Sequence, residues 1–213
     1  MEKNKKIGLY FGSFNPITNA HIMVSLQAIE YKNKFELDEV WFVVSPQNPH
    51  KDPIDLAPVE DRVKMIRGAI EDIGGWSDEN HRLKCCTKEL ELPSPSYTHI
   101  TFEELEKENQ DCEFVIVCGA DTYDNIPKWK YGESIWKKYN FLIVERGDSG
   151  KGGFYRKSGD DFIPGHFSVS ASLVRERLKN GLNITPLVSE TVKKHILNNK
   201  LYVSSASTSN ELN

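Results

Sequence analysis

The chain has 213 residues, a formal net charge of -4 and a pI of about 5.9. That length suits one α/β domain with a full core and is too short for two large ones. The acidic balance argues against a general nucleic-acid binder, so any anion is expected in a local pocket.

The first predicted strand covers residues 6–11, followed by a helix over 20–32 with Ile22, Leu26 and Ile29 on one face. The second strand covers 39–45. A proline-rich loop over 46–58 leads to a helix over 59–73, which Gly74 and Gly75 end. An alternating segment, 83–92, reads as a weak strand. A turn at Pro93-Ser94-Pro95 precedes a helix over 98–108. The third strong strand covers 113–118, a short helix 133–138 and a further strand 141–144. Residues 147–166, rich in glycine, read as a loop. Helices over 170–180 and 189–198 close the domain, which spans 1–203. The serine- and asparagine-rich tail, 204–213, is expected to be disordered.

Apolar runs such as 40–44 and 114–118 are strand-sized, far short of the roughly 18–20 residues that cross a bilayer. The charged start, Met1 to Lys6, has no signal-peptide apolar segment behind it. Cys85, Cys86, Cys112 and Cys118 form no C-x-x-C pair, and the histidines show no metal-ligand spacing. These features imply a cytoplasmic protein with reduced thiols, no bound zinc, and no membrane or nucleic-acid partner. A homo-oligomer is left open.

Strands alternating with helices imply a Rossmann-like, doubly wound parallel sheet with helices on both faces and a small helical C-terminal part. Ligands of such sheets bind outside the carboxyl ends of the strands. The sharpest motifs fall there. Gly12-Ser13-Phe14-Asn15-Pro16-Ile17-Thr18-Asn19-Ala20-His21 follows the first strand. Gly12 allows close backbone approach, and the N–H groups near Ser13 and Phe14 can meet phosphate oxygens. His21 falls in the first turn of the next helix, where it can either bond a phosphate oxygen or simply cap the turn. Ser170 and Ser172 open a later helix, with Arg175 about one turn on. They form either an anion clamp or an ordinary serine cap with a surface arginine.

Gly12 to Pro16 with Thr18 and His21 resembles the signature of the T/H-x-G-H nucleotidyltransferases. Residues 167–175, Phe-Ser-Val-Ser-Ala-Ser-Leu-Val-Arg, resemble that family's I-S-S-T-x-I-R element. Three further stretches resemble its nicotinate mononucleotide adenylyltransferases: residues 44–51 ending in Lys51, Pro95-Ser96-Tyr97-Thr98, and Cys118-Gly119-Ala120-Asp121 with Pro127-Lys128-Trp129. The resemblance runs from about Lys5 to Tyr202. It implies adenylyl transfer from ATP to nicotinate mononucleotide, giving deamido-NAD and pyrophosphate, with magnesium arriving bound to ATP.

The same resemblance implies the roles. His21, Lys51 and Arg175 are the catalytic set. Gly12, Phe14, Thr18, Gly119, Asp121, Ser170 and Ser172 join them in holding ATP. Ser13, Asn15, Tyr97, Thr98 and Trp129 hold the mononucleotide, with Trp129 stacked on the pyridine. Three residues depart from the bacterial pattern. Thr18 stands where a histidine is common, Ala20 for glycine and Asn15 for aspartate. They leave catalysis plausible and blur pyridine specificity. The alternatives are, in order, a nicotinamide or dual-specificity enzyme, a pantetheine-phosphate adenylyltransferase, and a nucleotide-binding regulator without turnover. Residues 147–153 imitate a P-loop, but Gly152 occupies the position of the magnesium-binding hydroxyl.

Overall fold

Apolar runs form the strands, and apolar residues at helical spacing form the helices that cover them. The computed structural model describes residues 4–46, 56–74, 82–93, 97–146, 159–165 and 169–203. In order they form β1 (Lys5–Gly12), α1 (Asn19–Glu30), β2 (Glu39–Val44), α2 (Val59–Asp72), β3 (Leu83–Cys86) and α3 (Thr98–Glu108). Then come β4 (Cys112–Gly119), α4 (Ala120–Asn125), α5 (Gly132–Lys138), β5 (Phe141–Arg146), β6 (Asp161–Gly165), α6 (Ala171–Lys179) and α7 (Glu190–Asn198).

The strands form one sheet in the order β3-β2-β1-β4-β5-β6, and every neighbouring pair is parallel. The order reverses beside β1, so the crevice at the carboxyl ends of β1 and β4 is the topological switch point where such sheets hold ligands. Side chains alternate between two layers. Ile7, Leu9, Phe114 and Ile116 pack with Phe102, Tyr123 and Ile135 of α3, α4 and α5. Val40, Phe42, Val115 and Val117 pack with Ile22, Met65, Val174 and Val192 of α1, α2, α6 and α7. Helices therefore cover both faces, as expected.

Three segments differ from the sequence reading. The strand expected over 83–92 stops at Cys86, and Lys88–Glu91 forms a 3-10 turn. Lys88 bridges Glu91 at 2.9 Å and Glu108 at 2.6 Å there, while Leu90 packs on the core. Residues 161–165, expected as loop, form β6. It lies at the sheet edge, where a strand tolerates a proline such as Pro164. Asp160 ties it to the sheet by accepting from the Phe141 N–H at 3.0 Å and the Tyr123 hydroxyl at 2.6 Å. The chain after β4 is helical, α4 running into a 3-10 turn at Ile126–Lys128. The P-loop-like stretch and the tail 204–213 lie outside the described residues.

Gly132, at the start of α5, is the tightest backbone approach. A Cβ there would sit 1.7 Å from the Ile126 carbonyl oxygen. Gly132→Ala is expected to destabilise the fold by about 2–3 kcal/mol or more, because backbone rather than a side chain must give way. Urea unfolding measures this; a change under about 0.5 kcal/mol would mean that α5 shifts freely.

Candidate active site

β1 ends at Gly12, whose carbonyl accepts the Ser45 N–H at 3.0 Å and so ties the ends of β1 and β2 together. A Cβ on Gly12 would come within 2.9 Å of the Phe14 ring. Glycine thus makes room for Phe14, which adopts a left-handed φ of 44° and turns its ring inward. That ring meets Tyr10, Phe42 and His21 edge-on, with centroids at 5.8, 5.4 and 5.3 Å. Phe14 is therefore an apolar floor beneath the imidazole.

Thr18 is the N-cap of α1, and His21 is its third helical residue. The Thr18 N–H donates to His21 Nδ1 at 3.0 Å, and the Thr18 hydroxyl lies 2.8 Å from the same nitrogen. An amide N–H only donates, so Nδ1 accepts and the ring proton resides on Nε2. Capping engages Nδ1, so the capping and phosphate-binding readings of His21 would use opposite nitrogens of one ring.

Asn15 is buried. Its Oδ1 accepts from the Ala57 N–H at 3.0 Å and from the Tyr202 hydroxyl at 2.7 Å. Its carbonyl accepts from Arg175 Nη1 at 2.8 Å, while Arg175 Nη2 reaches Ser172 Oγ at 3.4 Å. Ser170 caps α6, accepting the Leu173 N–H at 3.1 Å. The two motifs, 160 residues apart, thus meet at one carbonyl. Asn19 adds a third tie from the C-terminal part, its N–H donating to the Leu187 carbonyl at 2.9 Å and its Nδ2 to the Pro186 carbonyl at 2.6 Å.

Gly119 ends β4 beside β1 and serves as N-cap of α4, so Asp121 does not cap that helix and its side chain is exposed. Tyr97 and Thr98 begin α3. Trp129 follows the 3-10 turn and packs, half-buried, on the α3–α5 layer. Lys130 joins these segments: its ammonium lies 3.1 Å from the Tyr97 hydroxyl and 4.3 Å from that ring's centre. The structure therefore gathers Tyr97, Thr98 and Trp129 in one neighbourhood and Ser13, Asn15, Thr18, His21 and Arg175 in another. Lys51 lies outside the described residues.

The cytidylyltransferase-like family model matches residues 9–177, from β1 to just past Arg175. The chain is 36% identical over 200 residues to a Bacillus cytotoxicus protein named "Probable nicotinate-nucleotide adenylyltransferase", covering 94% of this chain and 100% of that one. The chain belongs to the nicotinate-nucleotide adenylyltransferase family. A Christiangramia forsetii protein of the same name is 31% identical over 202 residues, covering 91% of this chain and 96% of its own. Plasmodium falciparum nicotinic acid mononucleotide adenylyltransferase complexed with NaAD shares the fold, with a TM-score of 0.73 at 23% identity over 93% of this chain and 97% of that one.

Two residues of this adenylyltransferase-family site escaped sequence reasoning. Arg62 of α2 is 1% exposed. It lies three and four residues before the buried Met65 and Ile66, and that inward register was the available signal. Burial draws its pKa below the ordinary arginine value, partly offset by Tyr202, Glu60 and Glu89. Tyr202 carried no sequence signal. Burial raises its phenol pKa, which keeps the hydroxyl protonated as the donor to Asn15.

The cysteines are free, and burial raises Cys85 to about 11, so its thiol is protonated at neutral pH. Among the described residues no group of three or more His, Cys, Asp or Glu is placed to hold a metal, and no helix is long and apolar enough to cross a membrane.

Proposed function

We propose that this protein transfers the adenylyl group of ATP to nicotinate mononucleotide, forming deamido-NAD and releasing pyrophosphate. The observation that carries the reading is the Arg175–Asn15 contact, which brings the helix of the second motif onto the loop of the first. Membership of the family supports the same reaction.

The mononucleotide's 5′-phosphate is ionised at neutral pH and attacks the α-phosphorus of ATP in line, so no general base is needed. Catalysis then consists of positioning and charge stabilisation. His21 Nε2–H stabilises the charge that builds on the α-phosphoryl oxygens. Arg175, with Lys51, holds the leaving pyrophosphate. Gly12, Ser13 and the Phe14 N–H line the phosphate path, and Ser170 and Ser172 present the start of α6 to the triphosphate.

Gly119 and Asp121 take the adenosine ribose. The exposed carboxylate of Asp121, released from any capping duty, supports that role. Trp129 stacks on the pyridine beside Tyr97, and the first-turn amides of α3, starting at Thr98, meet the nicotinate carboxylate. The described site offers guanidinium, imidazole and amide donors rather than a carboxylate cluster. That suits a triphosphate which brings its own magnesium. Magnesium, when bound, neutralises phosphate charge.

Two of the three departures that leave a nicotinamide or dual-specificity reading open are Asn15 and Thr18. Asn15 Oδ1 already serves Ala57 and Tyr202, and Thr18 serves His21. Both substitutions therefore bear on the loop's shape more than on direct contact with the pyridine. The test is pyrophosphate release with ATP, magnesium and each of nicotinate mononucleotide, nicotinamide mononucleotide and phosphopantetheine. The expected result is a preference for the nicotinate form of at least about tenfold. Comparable rates with the two pyridines would establish dual specificity. Release only with phosphopantetheine, or with none, would overturn the proposal.

A further inference from the structure

Arg62 poses a physical question. Burying a guanidinium is costly, and a hydrophobic side chain of similar volume would fill the same space of α2 without that cost. Its hydrogen bonds run to backbone carbonyls. Nε donates to Ala57 at 3.1 Å, Nη1 to Ser13 and Ser45 at 2.7 Å each, and Nη2 to Pro46 at 2.8 Å. Ser13 belongs to the loop after β1, and Ser45 and Pro46 to the loop after β2. Ala57 is itself tied to Asn15 through its N–H. One planar fork therefore holds the starts of two loops at the carboxyl edge of the sheet. A lysine ammonium, with three donors on one nitrogen, cannot replace the five fixed donors of the guanidinium fork.

The carbonyl of Ser13 matters most. In a trans peptide the C=O and the following N–H point in opposite directions. With the Ser13 carbonyl drawn inward onto Arg62, the Phe14 N–H turns away from Arg62. The left-handed φ of Phe14 and the glycine before Ser13 make this turn possible. We propose that Arg62 is a positioning residue for adenylyl transfer: it locks the loops after β1 and β2 together and aims the Phe14 N–H at the acceptor phosphate. The inference rests on the function proposed above and adds a residue that touches no substrate.

The test compares wild type, Arg62→Lys and Arg62→Met, each checked for folding by circular dichroism and thermal melting. The expected result is a fall in kcat of about 30-fold in both variants, within the hundredfold that an ångström of misplacement can cost. KM for ATP and for nicotinate mononucleotide should move less than about fivefold, because the binding groups remain. In Arg62→Ala, millimolar methylguanidinium should restore part of kcat, which a general loss of stability would not allow. A kcat within about threefold of wild type in folded Arg62→Met would overturn the proposal.

Should every variant unfold, the wild-type protein decides. Titration with inorganic phosphate, followed by amide NMR, is expected to shift the Phe14 resonance among the largest. A stationary Phe14 amide would overturn the inference. Wild-type protein inactive with ATP and nicotinate mononucleotide would count against the function alone, and loss of the phosphate-induced Phe14 shift in folded Arg62→Met, expected here, would still separate the role of Arg62 from it.

Discussion

His21→Ala is expected to lower kcat about 100- to 1,000-fold, the usual loss when a preorganised donor to transition-state charge is removed. The geometry also tells how to separate that loss from a capping defect. Nδ1 is committed to the Thr18 N–H and hydroxyl, and Nε2 carries the proton. Asparagine places its amide near the position of Nδ1, so His21→Asn can keep the cap while removing Nε2. Glutamine extends to the position of Nε2, so His21→Gln can keep a donor there while giving up the cap. The expected pattern is low kcat with near-native stability for His21→Asn. For His21→Gln it is partly retained kcat with about 1 kcal/mol of stability lost from α1. Steady-state kinetics and urea melts on the three variants check this. Turnover of His21→Ala within tenfold of wild type would remove His21 from the reaction.

Sequence spacing revealed the parts of this molecule that are local. Gly12, Phe14, Thr18 and His21 lie within ten residues, with a glycine at a strand end and a hydroxyl and an imidazole together at a helix start. The parallel sheet was legible because strands alternate with helices, and antiparallel neighbours need no such crossovers. What stayed hidden depends on distant partners. An arginine in an amphipathic helix ordinarily reads as its wet face. Only the carbonyls of Ser13, Ser45 and Pro46 show why Arg62 faces inward. Tyr202 meets Asn15 across 187 residues, and nothing near either residue announces the other. β6 escaped because an edge strand tolerates a proline and needs little apolar alternation. The serine motif was legible but its division of labour was not: Ser170 caps α6, whereas Ser172 meets Arg175.

The C-terminal part is more than a cover for one face. Arg175, Pro186, Leu187 and Tyr202 all bond residues 15–19, between Asn15 and Asn19. α7 is in turn fastened to α2, His195 to Asp61 at 2.9 Å and Thr191 to Asp72 at 2.5 Å. The motif loop is thus held from below by α2 and from the side by the last helices. A loop held on two sides keeps its backbone donors in place before a ligand arrives, which is what electrostatic stabilisation of a phosphoryl transition state requires.

Arg175 belongs to that clasp and to the proposed chemistry at once, and the two roles predict different kinetics. Its contacts with Asn15 and Ser172 use two of five N–H groups, so the fork can brace the loop and still present donors to a phosphate. Arg175→Ala is expected to reduce kcat/KM for ATP about 1,000-fold, and Arg175→Lys about 100-fold, since lysine keeps the charge but loses the paired geometry. The hundredfold loss corresponds to about 2.7 kcal/mol of transition-state stabilisation. The reverse reaction, deamido-NAD with pyrophosphate, assigns the loss. If Arg175 holds the leaving group, KM for pyrophosphate rises at least about tenfold while KM for deamido-NAD changes little. If Arg175 only braces Asn15, both constants stay near wild type and kcat alone falls, as expected for Arg62. An unchanged KM for pyrophosphate in Arg175→Lys would therefore move this residue from the reaction to its scaffold.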